Sequence, residues 1–160
     1  MRHNNNFARV PKAALAVATF AGLAIVFPCA ADQNTFGDFY VSDFSGIKRG
    51  SLDGRGPLIQ VLGPQDVGAV DGLAVAGDEE TIFYVDRGRG PRADSTINAV
   101  ATDGSDQRTL ISPVDSPRKV VVDDSRGFIY FSSDETIFRA NSDGSDVQAV
   151  VGTALSLNGL

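Results

Sequence analysis

Three arginines on a glycine-rich stretch, Arg87-Gly88-Arg89-Gly90-Pro91-Arg92, are the densest set of side chains here suited to gripping an anion. A guanidinium offers a planar fork of donors that matches carboxylate, sulfate or phosphate oxygens, so Arg87, Arg89 and Arg92 are the candidate ligand-binding residues, for an acidic ligand or an acidic protein face. The plainer reading is a solvated loop that pairs with Asp86 and Asp94. No catalytic residue emerges. The only histidine (His3), cysteine (Cys29) and methionine (Met1) lie in the first 31 residues, and tryptophan is absent. Without that segment no Ser-His-Asp or Cys-His nucleophile, no thiolate or imidazole metal site and no disulfide can be assembled. Calcium is the one metal to weigh, because Asp103, Asp106, Asp143 and Asp146 place carboxylates three apart. A calcium loop of the helix-loop-helix kind needs ligands at alternate positions and a terminal glutamate, and neither segment supplies them, so no cofactor is expected. The glutamates are Glu79, Glu80 and Glu135, each in a turn beside other acidic residues.

The elements that must position that loop repeat. Three times an isoleucine is followed six residues later by Asp-Gly: Ile47 to Asp53-Gly54, Ile97 to Asp103-Gly104 and Ile137 to Asp143-Gly144. Setting Gly72 against Lys119 carries Ile82-Phe83-Tyr84 onto Ile129-Tyr130-Phe131 without a gap, and Lys119 set against Gly159 brings Val120 onto Leu160. Each unit opens with a short unbroken apolar run (72–76, 119–122), which reads as a strand covered on both faces. A turn follows, then an aromatic and β-branched strand (82–85, 128–132), a third strand holding the isoleucine, and a fourth at 58–62, 108–111 or 147–151. Asp-Gly is the signature of a tight hairpin: the carboxylate accepts hydrogen bonds from its own turn and the glycine takes the positive φ. Four short strands in about 40 to 50 residues is the β-propeller blade pattern, so the fold class is all-β, a partial propeller of about three four-stranded antiparallel blades.

These residues carry a resemblance. Gly72-Leu73-Ala74-Val75, Ile82-Phe83-Tyr84-Val85-Asp86, Ile97 and Asp103-Gly104-Ser105 are similar to the low-density-lipoprotein-receptor class B, or YWTD, repeat. A second copy runs from Pro117 to Asp123, through Ile129-Tyr130-Phe131-Ser132, to Ile137 and Ser145. A first copy lacks its opening strand but keeps Phe39-Tyr40-Val41-Ser42-Asp43, Ile47 and Leu52-Asp53-Gly54. The tryptophan of the motif is replaced by Tyr84, Phe131 and Val41, and NHL-type, Tol-system and gluconolactonase-like propellers share the Asp-Gly hairpin. The resemblance implies half of a six-bladed ring, usually extracellular, that binds or scaffolds proteins. Blades are expected at about 38–70, 71–116 and 117–156, with the next opening at 157–160. Three blades leave two faces open, each about the 800 Å² of one side of an ordinary interface. The expectation is an incomplete chain, with pairing of two chains into one ring as the alternative.

Arg2, Arg9 and Lys12 precede an apolar stretch from Ala13 to Phe27 and then Pro28-Cys29-Ala30-Ala31, the form of a secretory signal cleaved after Ala31. Fifteen apolar residues fall short of the roughly 20 that span a membrane. Residues 32–37 read as a linker. Removing Arg2, Arg9 and Lys12 from fourteen basic residues leaves eleven against twenty acidic, a net −9 for residues 32–160. Such a surface disfavours nucleic acid and anionic membrane as partners. The expected function is a secreted (or, in a bacterium, periplasmic) propeller scaffold that binds a protein or acidic ligand through loops at 86–96 and 63–70. The alternative is a gluconolactonase-like metal-dependent hydrolase, and the enzyme question leans to no.

Overall fold

A computed structural model describes the backbone of residues 16–20 and 23–27 and the full residues 37–43, 45–77, 80–89 and 95–152. The described residues form three antiparallel sheets and no helix. The first contains β1 (Ala16–Phe20), β2 (Leu23–Phe27), β3 (Asp38–Asp43), β4 (Gly46–Ser51) and β5 (Ile59–Leu62), in that order. The second contains β6 (Val70–Val75), β7 (Thr81–Asp86), β8 (Thr96–Ala101) and β9 (Arg108–Ile111). β10 (Pro117–Asp123), β11 (Phe128–Ser133), β12 (Thr136–Asn141) and β13 (Gln148–Gly152) make the third. Each sheet is a meander whose strands pair in sequence order, and the chain is a partial β-propeller of three blades.

The sheets stack because their strands are apolar on both faces. Along β7, Ile82 and Tyr84 enter the slab shared with the first sheet, where they meet Tyr40, Ile47, Leu62, Leu73 and Val75. The alternate residues Phe83 and Val85 enter the slab shared with the third sheet, with Ala74, Ile97, Ala99, Val120, Ile129 and Phe131. A period of two thus serves two cores at once, which is why the sequence shows unbroken apolar runs instead of alternation. Burying a side chain such as Tyr84, 1% exposed, contributes about 2 kcal/mol.

The recurring isoleucine marks a β-bulge. The register between third and fourth strands shifts at Ile47/Lys48, at Ile97/Asn98 and at Ile137/Phe138, one place in each blade. A bulge adds local twist and re-aims the outer strand. The Asp-Gly hairpins close as expected: Gly104 N donates to Ala101 O and Ala101 N to Ser105 O, both at 2.9 Å, and Asn141, Gly144 and Ser145 repeat this geometry. Asp103 Oδ1 accepts from Ser105 N at 2.9 Å and Ser105 Oγ at 2.6 Å, and those bonds hold its carboxyl below the usual range.

One difference from the sequence reading concerns the first blade. Leu23–Phe27 pairs antiparallel with β3, Ala24 opposite Ser42 and Val26 opposite Tyr40, in the place of the opening strand that the first copy lacks. An apolar stretch rich in Val, Ile and Phe has the same composition whether it serves a signal or an inner strand. Most of the remainder of 1–36, the segment 153–160 and Arg92 lie outside the described residues.

Candidate functional site

The register places the loop of interest. Val70 pairs with Asp86, and Asp86 with Thr96, so the β5–β6 connection (63–69) and the described ends of the β7–β8 connection (87–89 and 95) meet at one end of the second blade. Asp86, the last residue of β7, ties them together. Its Oδ2 accepts from Gly68 N at 2.9 Å and its Oδ1 from Gly88 N at 2.8 Å. Arg87 N donates to Ala69 O at 2.9 Å, and Ser95 Oγ to Arg87 O at 3.3 Å. The turn below is fixed in the same way. Asp66 N donates to Gly63 O, Asp66 Oδ2 accepts from Gly63 N at 2.9 Å, and Gln107 Nε2 bridges Asp66 O (3.1 Å) and the Tyr84 hydroxyl (2.8 Å). Burial pushes the Tyr84 hydroxyl up to about 12, with Gln107 acting against it, so Tyr84 stays protonated and available to this network.

Two of the three candidate arginines are described, and each has an internal partner. Arg89 Nη2 donates to Val67 O at 2.8 Å and also to Pro64 O, clamping two carbonyls of the facing loop. Arg87 Nη1 lies 3.5 Å from Asp71 Oδ2 with its side chain 48% exposed. Both residues remain exposed at the rim. Sequence reasoning missed Asp86 as the hub of the loop end. The signal was available in the alignment of Asp86 with Asp43, each ending the second strand of its blade.

At the corresponding corner of the first blade, Asp43 Oδ2 accepts from Lys48 Nζ at 2.8 Å and Oδ1 from Ser45 N at 2.8 Å. The Lys48 bond, then those of Ser45, lower the Asp43 carboxyl from 3.8 to about 2. A depressed carboxyl binds its proton more weakly folded than unfolded, so its stabilisation is present above the unfolded pKa and is lost as pH falls through the folded one. Asp43→Asn is therefore expected to remove the loss of stability between pH 3.8 and about 2 by lowering stability modestly above that window and leaving it nearly unchanged below it, a small effect because the pair is partly exposed. Denaturant melts across that range check it.

Asp86→Ala is the stronger perturbation of the loop end. It leaves Gly68 N and Gly88 N without their acceptor, an expected cost of about 2 kcal/mol. Hydrogen exchange should quicken at 63–69 and 87–89 before it does in β6 and β7.

No group of three His, Cys, Asp or Glu side chains converges on a metal-sized site among the described residues. Glu80 and Glu135 are exposed, and Glu79 lies outside the described residues.

Comparison with known proteins bears on the fold more than on the site. No family model matches the chain. The chain is 36% identical over 87 residues to a 3-hydroxyacyl-CoA dehydrogenase-like protein of Cochliobolus heterostrophus, covering 52% of this chain and 18% of that protein. It is 28% identical over 124 residues to a probable dipeptidyl-aminopeptidase B of Aspergillus clavatus, covering 64% and 14%. The chain thus spans under a fifth of the length of these curated relatives. Among solved structures, a nidogen/laminin complex superposes with a TM-score of 0.67 at 24% identity, over 89% of this chain and 63% of that one. A putative TolB of Agrobacterium tumefaciens follows at 0.63 and 16%, over 89% and 59%. A gluconolactonase of Xanthomonas campestris gives 0.56 and 24%, over 89% and 47%. What these share with the chain is the fold.

Proposed function

We propose that this chain is a binding scaffold of the YWTD-repeat kind, exported by a signal at residues 1–31 and joined through a linker at 32–37 to blades at 38–70, 71–116 and 117–156. Its loop end at 63–70 and 86–96 presents Arg87, Arg89 and Arg92 to an acidic face on a partner protein. One observation carries this reading: the described part of the loop end, 63–70 and 86–89, is tied together by side chains, through Asp86, Asp66, Gln107 and Arg89, while Arg87 and Arg89 stay exposed. A preformed surface avoids the ordering cost that a floppy loop incurs on binding. The propeller solved as a nidogen/laminin complex supports a protein-binding role for this architecture.

Calorimetric titration with a glutamate-rich peptide at low salt tests it. Saturable binding is expected, weakened several-fold in the double variant Arg87→Ala, Arg92→Ala, since exposed charge pairs are each worth about 0.2 to 1 kcal/mol. Arg89 is left in place because it holds the loop. Equal heats from wild type and variant would remove the arginines from the role.

The gluconolactonase fold neighbour keeps a hydrolase as the second reading. That chemistry calls for carboxylates converging on a divalent metal that activates water. Calcium or zinc raising the melting temperature together with lactone turnover would favour it over the scaffold.

A further inference from the structure

Four Asp-Gly pairs occur in the sequence, and three of them join the third and fourth strands of a blade: Asp53–Gly54 between β4 and β5, Asp103–Gly104 between β8 and β9, and Asp143–Gly144 between β12 and β13. The fourth, Asp71–Gly72, lies within β6, where Gly72 pairs with Val85. In an Asp-Gly pair the aspartyl carboxyl is open to attack by the amide nitrogen of the next residue, because glycine has no Cβ to crowd the approach. All three hairpin aspartates are exposed, so access to water does not separate them.

What separates them is how each carboxylate is held. Asp103 Oδ1 accepts from both N and Oγ of Ser105, and Asp143 Oδ1 from both N and Oγ of Ser145, at 2.9 and 2.6 Å in each case. Those bonds hold both carboxyl groups below the usual range, which keeps them ionised and poor targets for a nitrogen nucleophile. A further bond closes the frame of each turn, Ala101 N to Ser105 O and Asn141 N to Ser145 O, both at 2.9 Å. In the first blade Arg55 stands where the two serines stand. Asp53 Oδ1 accepts from Arg55 N at 2.8 Å, the hydroxyl donor is missing, and no bond joins Ser51 N to Arg55 O among the described residues. Gly54 N donates to Ser51 O at 3.1 Å, against 2.9 Å for the same bond of Gly104 and Gly144. Gly56 follows with a positive φ of its own, +83°. The carboxylate of Asp53 is thus held by one donor, on a turn that carries two glycines.

We propose that Asp53–Gly54 is a site of spontaneous covalent modification, isomerising through a cyclic imide to isoaspartate roughly tenfold faster in the folded chain than Asp103–Gly104 or Asp143–Gly144, the factor set by one missing hydrogen bond to a charged group. In the first step the Gly54 nitrogen bonds to Asp53 Cγ. The amide hydrogen and the carboxyl proton leave with one carboxyl oxygen as water, and the imide remains. In the second step water adds to one of the two imide carbonyls. Attack at Cγ breaks the Cγ–N bond and restores aspartate. Attack at the main-chain carbonyl carbon of Asp53 breaks its bond to the Gly54 nitrogen and leaves the chain linked through Cβ and Cγ, with a free α-carboxylate. Water is released and then taken up, so no oxidant, reductant or other co-reactant is needed. The product lengthens the main chain of the hairpin by a methylene carbon. The hairpin lies at the opposite end of its blade from the 63–69 connection, and its chemistry does not depend on which ligand the arginine loop binds.

Incubation of the full chain in heavy-oxygen water at mildly acidic pH, where carboxyl groups are partly protonated, tests it. Each passage through the imide leaves a heavy oxygen on the residue, and peptide mapping with fragmentation locates the label. Label is expected at Asp53 roughly tenfold sooner than at Asp103 or Asp143. Arg55→Ser supplies the missing hydroxyl and should slow labelling of Asp53 several-fold, with an unchanged strand signal in circular dichroism because the Arg55 side chain is exposed. In concentrated urea the three sites should label at comparable rates, since the bonds that distinguish them are gone. Equal labelling of the three aspartates in the folded chain overturns the proposal, and so does a folded Arg55→Ser chain that labels Asp53 at the wild-type rate. A difference that persists undiminished in urea overturns it as well, because the neighbouring residue type and not the hairpin would then set the rate.

Discussion

Gly104→Val is expected to destabilise the protein by about 3 kcal/mol or more, against about 1 to 2 kcal/mol for Gly54→Val. Both glycines have positive φ, +89° and +71°, a region that any residue with a Cβ enters at a cost and a β-branched one at a greater cost. The difference between them is the neighbouring blade. The added Cβ at position 104 would meet the Val61 carbonyl oxygen at 2.5 Å, well inside van der Waals distance, and that oxygen belongs to strand backbone held between the paired residues Gln60 and Leu62. Neither partner can turn aside as a flexible side chain would, so the hairpin must lift from the first blade. At position 54 nothing lies within 4 Å, and only the conformational cost remains. Urea unfolding measures both. Equal losses would mean that the blades do not approach as closely as the structure has them.

That comparison shows where the sequence is legible and where it stops. Asp-Gly reads correctly as a hairpin because its chemistry is local: Ser105 and Ser145 cap Asp103 and Asp143 within two residues, and Arg55 N does so for Asp53 at 2.8 Å. Its second role, glycine against the carbonyl of the previous blade, joins residues 43 and 34 positions apart and has no local signature. The isoleucines repeat visibly, yet only the register reveals that each marks a bulge. Ile47 and Ile97 are 0% exposed while Ile137 is half-buried, a difference set by which blade has a neighbour and not by the residue. At the loop end, residue types suggested an anion grip. The position of the Pro64 and Val67 carbonyls turns Arg89 inward as a clamp, and no spacing rule encodes that. In the first blade, Leu23–Phe27 satisfies two readings by composition alone, and pairing with β3 is a tertiary fact.

Phe131→Ala is expected to cost about 3 to 5 kcal/mol, the range for truncating a buried phenylalanine, and the loss should be uneven along the chain. Phe131 is 2% exposed in the slab between second and third blades. It stacks on Phe138 across β11 and β12 with ring centroids 5.4 Å apart and planes at 14°. Its surroundings are largely small or β-branched: Ala74, Ala99 and Ala140 have no rotamers with which to refill the space, so a cavity remains instead of collapsing. A propeller arc is a row of blades in which each contacts only its neighbours, and stability is then carried by the blades and the junctions between them. Removing Phe131 weakens one junction and leaves the slab of Tyr40, Ile47, Leu73 and Tyr84 untouched. Hydrogen exchange should therefore quicken through β10 to β13 well before β6 and β7, with β3 and β4 holding longest, and unfolding by urea should broaden. Uniform exchange over all three sheets with a single sharp transition would mean that the blades unfold as one cooperative unit, and the neighbour-by-neighbour account of this fold would fail.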